Sequence, residues 1–231
     1  MPDPTDTNIT PGDDASFVET STSPQVEPAE PDVAQVPQKR HIFVVVEAVA
    51  GAGVVATRLA RALRGERING PLDAPGPGAT DDPEHLAELL MDMAASIAGG
   101  LRVHPVVVSG YMVSAMATAA ALANLTRDEV LGLFAPHLAR ILVPDLMVHL
   151  HASPDQTAQL LAANPTGTVE AELVADPALL ARRLVRQDEL AALDTTASHL
   201  PISNIDPDQA VEAILRTLVD RAAESKAPAT T

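Results

Sequence analysis

The sequence predicts an α/β fold in which helices cover both faces of a parallel sheet. Short β-branched runs alternate with longer helical patterns along most of the 231 residues. Apolar residues make up 46% of the chain but aromatics only 2%, so the core must be built from Ala, Leu, Val and Ile, which suit helices on an aliphatic sheet. The segment His41–Glu47, HIFVVVE, is a β-branched run bounded by small residues, as a buried strand requires.

Residues 1–38 carry Pro2, Pro4, Pro11, Pro24, Pro28, Pro31 and Pro37 among Asp, Glu, Ser and Thr. Such a composition buries too little apolar surface to offset its ordering entropy, so a disordered acidic tail is expected. A solubilising role explains it more simply than a partner-binding arm. One domain is expected over 39–221, a size suited to a single core, with a second short disordered tail over 222–231.

Within the domain, His41–Glu47 is the first strand and Ala48–Gly53 a small-residue loop. Val54–Arg64 then reads as a helix, with Val55, Leu59 and Leu63 on one face and Arg58, Arg61 and Arg64 elsewhere. A loop through Pro71, Pro75, Gly76, Pro77 and Gly78 leads to a helix over Pro83–Ala98, with Asp81 and Asp82 as candidate caps and Gly99 and Gly100 as its end. Val103–Ser109 is the second strand, and Met112–Leu122 an Ala-rich helix able to pack closely on it. Thr126–Ala139 has the spacing of a capping box, Thr126 followed by Glu129. Leu146–His151 is the third strand, Asp155–Ala162 and Ala178–Leu193 are helices, Pro201–Ile205 is the last strand, and Pro207–Arg221 is the closing helix.

Charge and composition exclude several functions. A net charge of -16 opposes the counterion displacement that nucleic-acid binding needs, and equally opposes an anionic membrane surface. The chain has no cysteine, which removes disulfides and thiolate metal sites. No apolar run reaches the roughly 18 residues of a membrane helix, and the N-terminus lacks an apolar leader, so a cytoplasmic protein is the expectation.

Four segments then stand in order: IFVVVEAVAGAGVVA, the turn Asp73-Ala74-Pro75-Gly76, VVVSGYMVSA, and PDLMVHLHASP. Together they resemble the thymidylate kinases and related deoxynucleoside kinases of the P-loop superfamily, over most of Ile42–Leu218. The resemblance implies a three-layer P-loop NTPase-like fold, a parallel sheet flanked by helices. The family's first loop, FxxFEGxDGAGKST, puts Glu47, Gly51, Ala52 and Gly53 in register, while Val54 and Val55 take the lysine and hydroxyl positions. Asp73 stands at the arginine of the family's Arg-Glu-Pro-Gly-Gly stretch. Ser109 and Gly110 replace the Asp and Arg of an Asp-Arg-Tyr motif, whereas Tyr111 and Ser114 persist. The last segment is similar to PDLxIYLDVxPE, with His151 at the usual aspartate, and the lid span Thr166–Ala175 holds no arginine.

A P-loop works because backbone N–H groups approach the phosphates, its lysine neutralises their charge and its hydroxyl holds Mg²⁺. Two valines do neither of the last two jobs. The resemblance therefore implies a vestigial nucleotide-binding site at Glu47, Gly51, Ala52, Gly53, Tyr111 and Ser114, with no catalytic residue and no metal site assigned. The expected function is a catalytically impaired thymidylate kinase-like protein acting through binding, as a regulatory or structural partner. The alternative is an active divergent nucleoside or nucleotide kinase using ATP and Mg²⁺, with Arg58, Arg61 or the Arg182 cluster supplying the missing charge. The expected partners are a weak nucleotide or anion ligand, and a homodimer or a heteromer with a related enzyme, Met112–Leu122 offering an apolar face.

Simpler roles stand beside several of these residues. Glu47 serves either a substrate or backbone N–H groups at its strand end. His149 and His151 share a strand face, but with no third ligand they read as ordinary sheet histidines. Arg182 and Arg186 read as surface partners of Asp188 and Glu189, Tyr111 as a packed strand-end tyrosine, and Asp206 and Asp208 as caps on the helix at Pro207.

Overall fold

A computed structural model describes residues 41–71, 82–163, 168–193, 199–202 and 206–224. The expected N-terminal tail, residues 225–231, the Asp73–Gly76 turn and Asp81 lie outside them, whereas residues 222–224, expected to begin the second tail, continue the last helix. Five strands, β1 (Phe43–Glu47), β2 (Glu66–Asn69), β3 (Val106–Ser109), β4 (Leu146–Leu150) and β5 (His199–Ile202), form a sheet in the order β2-β3-β1-β4-β5. Every adjacent pair is parallel. The helices among the described residues are α1 (Ala52–Leu63), α2 (Pro83–Gly100), α3 (Met112–Leu122), α4 (Arg127–Leu138), α5 (Pro154–Ala163), α6 (Thr168–Ala175), α7 (Pro177–Ala191) and α8 (Pro207–Glu224).

Strand alternation divides the core into two faces. Val44 and Val46 pack with Val55 and Leu59 of α1 and with Ala210 and Ile214 of α8. Phe43 and Val45 pack on the other face with Leu86 and Leu90 of α2, Ala-rich α3 and Phe134 of α4. Helices, sheet and helices thus form the three layers of a P-loop-type α/β fold. Each fully buried Val or Leu in these clusters contributes about 1.5–3 kcal/mol. Asp145 locks the entry of β4 onto β1: its Oδ2 accepts from Phe43 N at 2.8 Å, and its own N–H donates to Phe43 O at 2.8 Å.

Several expectations hold to the residue or close to it. α3 spans Met112–Leu122 as read, and the capping box of α4 forms through Thr126 and Glu129. Asp82 caps α2 by accepting from Glu84 N at 2.9 Å.

Other expectations need correction. β2 was not foreseen, because Glu66–Asn69 is an edge strand whose side chains are exposed or half-exposed, so it has no apolar run to reveal it. It becomes a strand because the chain turns back after α1 and Glu66 N donates to Pro105 O at 2.8 Å beside β3. β3 starts at Val106 rather than Val103, since Val103 N and His104 N are held by Gly100 O in turns closing α2. α2 accordingly continues through both Gly99 and Gly100. The last strand begins earlier than expected, at His199. The span Thr168–Ala175, which received no helix, forms α6. The face of α3 offered for assembly is core: Val113–Ala121 are all buried, because alanines let α7 and α2 approach closely. Among the described residues no helix is long and apolar enough to cross a membrane.

Candidate functional site

β1 ends at Glu47, and the chain reverses through Ala48–Gly51 into α1. Gly51 adopts φ 83° and ψ -10°, a left-handed conformation that glycine tolerates without a Cβ clash. The first turn of α1, whose N–H groups have no partner within the helix, borders a cleft of about 880 Å³ past the carboxyl ends of β1 and β3. Ligands of open α/β sheets bind at this end of the strands. Gly51, Ala52, Gly53 and Ser114 line the cleft.

The two valines after Gly53 have different surroundings. Val54 is 48% exposed and lines the cleft, whereas Val55 is fully buried between α1, the sheet and α8. The positive charge beside the loop comes instead from β2. Arg67 Nη1 donates to Thr57 Oγ1 at 2.9 Å and Nη2 to Ser109 Oγ at 3.3 Å. Thr57 in turn donates to Gly53 O at 2.7 Å. A Cβ placed on Gly53 would stand 3.0 Å from Arg67 Nη2, so the guanidinium lies directly against the loop.

Behind the cleft is a buried polar unit. Glu47 Oε1 accepts from Tyr111 N at 3.1 Å and Val113 N at 3.2 Å, and Oε2 accepts from Ser114 N at 3.2 Å and from the Ser114 hydroxyl. This strand-end carboxylate therefore caps α3 from outside its own helix, next to the positive end of the helix dipole. Arg183 of α7, also buried, donates from Nε to Thr118 Oγ1 at 2.8 Å, from Nη2 to Ser114 O at 3.1 Å, and from Nη1 to Gln187 Oε1. Burial pushes the Glu47 carboxyl above its ordinary value, against the opposing pull of the Ser114 and Tyr111 hydrogen bonds and the Arg183 charge. Burial likewise pushes Arg183 down to about 10, against the opposing charge of Glu47.

Neither Glu47 nor Tyr111 lines the cleft. Tyr111 is buried with its ring edge-to-face on Phe43, 5.7 Å between centroids, and burial raises its phenol above the ordinary value. Leu160 and Leu161 of α5 and Val169 and Leu173 of α6 also border the cleft, the last three buried in a cluster with Ala50 of the loop. The described lining residues include Arg58, Arg61, Arg67 and Arg183 and one carboxylate, Glu170.

A thymidylate kinase structure from Candida albicans is similar in fold, with a TM-score of 0.59 at 13% identity, over 79% of this chain and 93% of its own. The fold is that of the P-loop deoxynucleotide and deoxynucleoside kinases. Deoxyadenosine kinase from M. mycoides with bound dATP gives a TM-score of 0.58 at 11% identity, over 77% of this chain and 98% of its own. The same kinase with dCMP and a flexible dCDP also gives 0.58 at 11% identity, over 78% and 99%. No family model matches the chain, and no curated protein matches its sequence.

Within this kinase fold the arginines are distributed differently from the sequence expectation. Arg58 lines the cleft but is paired with Asp208 of α8. Arg182 Nε reaches Ala121 O at 3.5 Å, and Arg186 bonds Leu125 O at 3.1 Å and Glu189 Oε2 at 2.6 Å; neither lines the cleft. Arg67, beside the loop, received no role from the sequence, and Arg183, at the buried floor, entered only as a member of the Arg182 cluster. Arg183 sits between Arg182 and Arg186 in the chain, and only the Leu179, Leu180, Arg183, Gln187, Leu190 period of the buried face of α7 marks it. His149 stacks on His199 at 4.8 Å, and His151 Nδ1 lies 3.5 Å from Asp188 Oδ1. No group of three metal-ligating side chains occurs among the described residues. Asp206 caps α8 by accepting from Asp208 N at 2.9 Å.

Proposed function

We propose that this protein is a kinase-fold binding protein without phosphoryl-transfer activity, which holds an anionic ligand in the cleft and acts as a regulatory or structural partner. The observation that carries this reading is the pair Val54 and Val55, directly after the loop glycines. Phosphoryl transfer depends almost wholly on positioning and on charge stabilisation, and neither valine supplies a cation or a metal ligand.

The residues do not fit Mg²⁺ at this loop. Val55 is buried in the core, the oxygens of Glu47 are taken by the start of α3, and Glu170 is the one carboxylate lining the cleft among the described residues. Anion binding needs less. The N-terminus of α1 and the arginines that line the cleft favour negative charge without any metal.

The test is a phosphotransfer assay of the full chain with ATP and Mg²⁺ against a panel of nucleosides and nucleoside monophosphates, run beside thermal shift with the same nucleotides. Ligand-dependent stabilisation without product is the expected result. Metal-dependent product formation by the unmodified protein, lost on substitution of Gly53, overturns the proposal.

The second reading, an active divergent kinase, is favoured by one feature: Arg67 lies against the loop where a catalytic cation would be useful. It requires turnover that Arg67→Ala abolishes.

A further inference from the structure

We propose that α6 is a detachable clamp on the loop: docked, its apolar side covers Ala50, and released, it frees the loop while the two sheet cores stay packed. The clamp itself stands apart from the binding reading above; its consequence for a ligand rests on that reading.

The residues that carry this form a third hydrophobic cluster, separate from those on the two sheet faces. Ala50 of the loop, Leu161 of α5, Val169 and Leu173 of α6, and Leu179 and Leu180 of α7 are buried together, and among the described residues no strand residue belongs to the group. A satellite of this kind can open while the main cores stay intact, because the apolar contacts it gives up are its own.

Within it, α6 is the member placed to leave. Val169 and Leu173 lie one turn apart and share one side of an eight-residue helix, whereas Ala171, Glu172, Val174 and Ala175 are exposed. A helix this short is marginal alone in water and is kept by docking. Its C-terminal end is a hinge: Asp176 is extended, with φ -122° and ψ 96°, and Pro177 starts α7. The Asp176 carboxylate accepts from Ala178 N at 2.9 Å and from Leu179 N at 3.1 Å. α7 thus carries its own cap and is whole whether or not α6 is docked.

The loop side gives the clamp its consequence. Ala50 immediately precedes Gly51, whose left-handed backbone turns the chain into α1. Releasing α6 uncovers that side chain and takes Val169, Glu170 and Leu173 out of the cleft lining. A ligand that fills the cleft bordered by docked α6 therefore favours docking, and docking favours the ligand by the same factor.

The chain has no cysteine, so the single substitution Ala50→Cys reports the loop face. Its labelling by an aromatic disulfide reagent is measured on the full chain beside hydrogen exchange of the α6 amides, with Ala117→Cys in the buried core of α3 as the gauge of global unfolding. Ala50→Cys is expected to label at least about tenfold faster than Ala117→Cys, with an opening equilibrium within about threefold of that of α6. Leu173→Ala should accelerate both events by about tenfold or more, and Val169→Ala replaces it should circular dichroism show that the first variant does not fold. Labelling far ahead of α6 exchange, labelling no faster than Ala117→Cys, or rates unchanged by a folded variant each overturn the clamp. ATP is the probe of the consequence, and at about ten times its Kd it should slow α6 exchange by about tenfold. ATP that raises the Tm of the unmodified chain yet leaves α6 exchange unchanged overturns the coupling alone. ATP that does neither overturns the coupling and counts against the binding reading, while the clamp is judged by the ATP-free rates.

Discussion

Glu47 and Arg183 are held on either side of one residue, Ser114, whose hydroxyl donates to the carboxylate and whose carbonyl accepts from the guanidinium at 3.1 Å. The last residue of the central strand is thereby tied through the start of α3 to the buried face of α7. The cleft rests on this unit, since Ser114 and Arg183 both line it.

Glu47→Ala should destabilise the protein by about 3 kcal/mol, because it strands three backbone N–H donors at the start of α3 and leaves a buried guanidinium without its opposing charge. Glu47→Gln, which keeps the shape and two acceptor lone pairs, should cost less. Urea unfolding of both variants measures the difference, and equal stability of Glu47→Ala and the parent would refute the structural role.

The same carboxyl sets a pH dependence. Its pKa is raised in the folded protein by burial, so the folded state holds the proton more tightly than the unfolded state does. The stability this contributes is fully present below the ordinary carboxylate value and is lost as pH rises through the folded value. Stability of the parent relative to Glu47→Gln should therefore fall with rising pH across the mildly acidic range, measured as the difference between their unfolding free energies at each pH. A difference that stays flat or rises contradicts this.

Val54→Lys and Val55→Ser, the two changes that would rebuild a phosphate-binding loop, should behave oppositely in stability. Val54 is 48% exposed, so a lysine there is accommodated with little change in Tm and should tighten tripolyphosphate binding. Val55 is fully buried against α8, and a serine there should cost about 2 kcal/mol through lost packing and a buried hydroxyl. Thermal unfolding of each single variant separates the two effects, and a stable Val55→Ser would show that the α1–α8 packing is looser than described.

Two glycines near the ends of the strands are constrained by their surroundings, Gly51 in the loop and Gly70 after β2. Gly51→Ala should cost about 1 kcal/mol because of its φ of 83°. Gly70→Ala should cost about 2 kcal/mol or more, since its Cβ would fall 2.2 Å from Gly110 O and 2.4 Å from Ser109 O, backbone atoms that cannot swing aside. Chemical denaturation should rank Gly70→Ala as the more damaging, and the reverse order would contradict the close approach of β2 to the end of β3.

Most of the fold was legible because buried strands and capped helices leave strong local signals. Phe43–Glu47 reads directly from its β-branched run, and α4 from Thr126 and Glu129. β2 was not legible because Glu66–Asn69 is a charged edge whose pairing is decided by its distant neighbour β3. Of the residues that line the cleft, the loop Gly51–Gly53 and Ser114 were legible in the sequence, but the arginines beside them were not. An arginine that is buried or bent over a glycine looks in sequence like one on a solvated helix, so Arg183 was hidden among Arg182 and Arg186. Arg67 was hidden with its strand. Glu47 was singled out, yet only the structure assigns its oxygens to the first turn of α3.

The position of β1 at the centre of a wholly parallel sheet also governs how the chain acquires its shape. Neither flanking strand is near in sequence: Phe43 pairs with Val106, and Val44 with Leu146. Closing such long loops before any pairing energy is gained makes the ladder slow to nucleate. Until it does, the run Phe43–Val46 is an uncovered, sticky β-prone segment of the kind that seeds aggregation. The strand that presents the loop thus gains both of its partners only after long stretches of chain have closed on it.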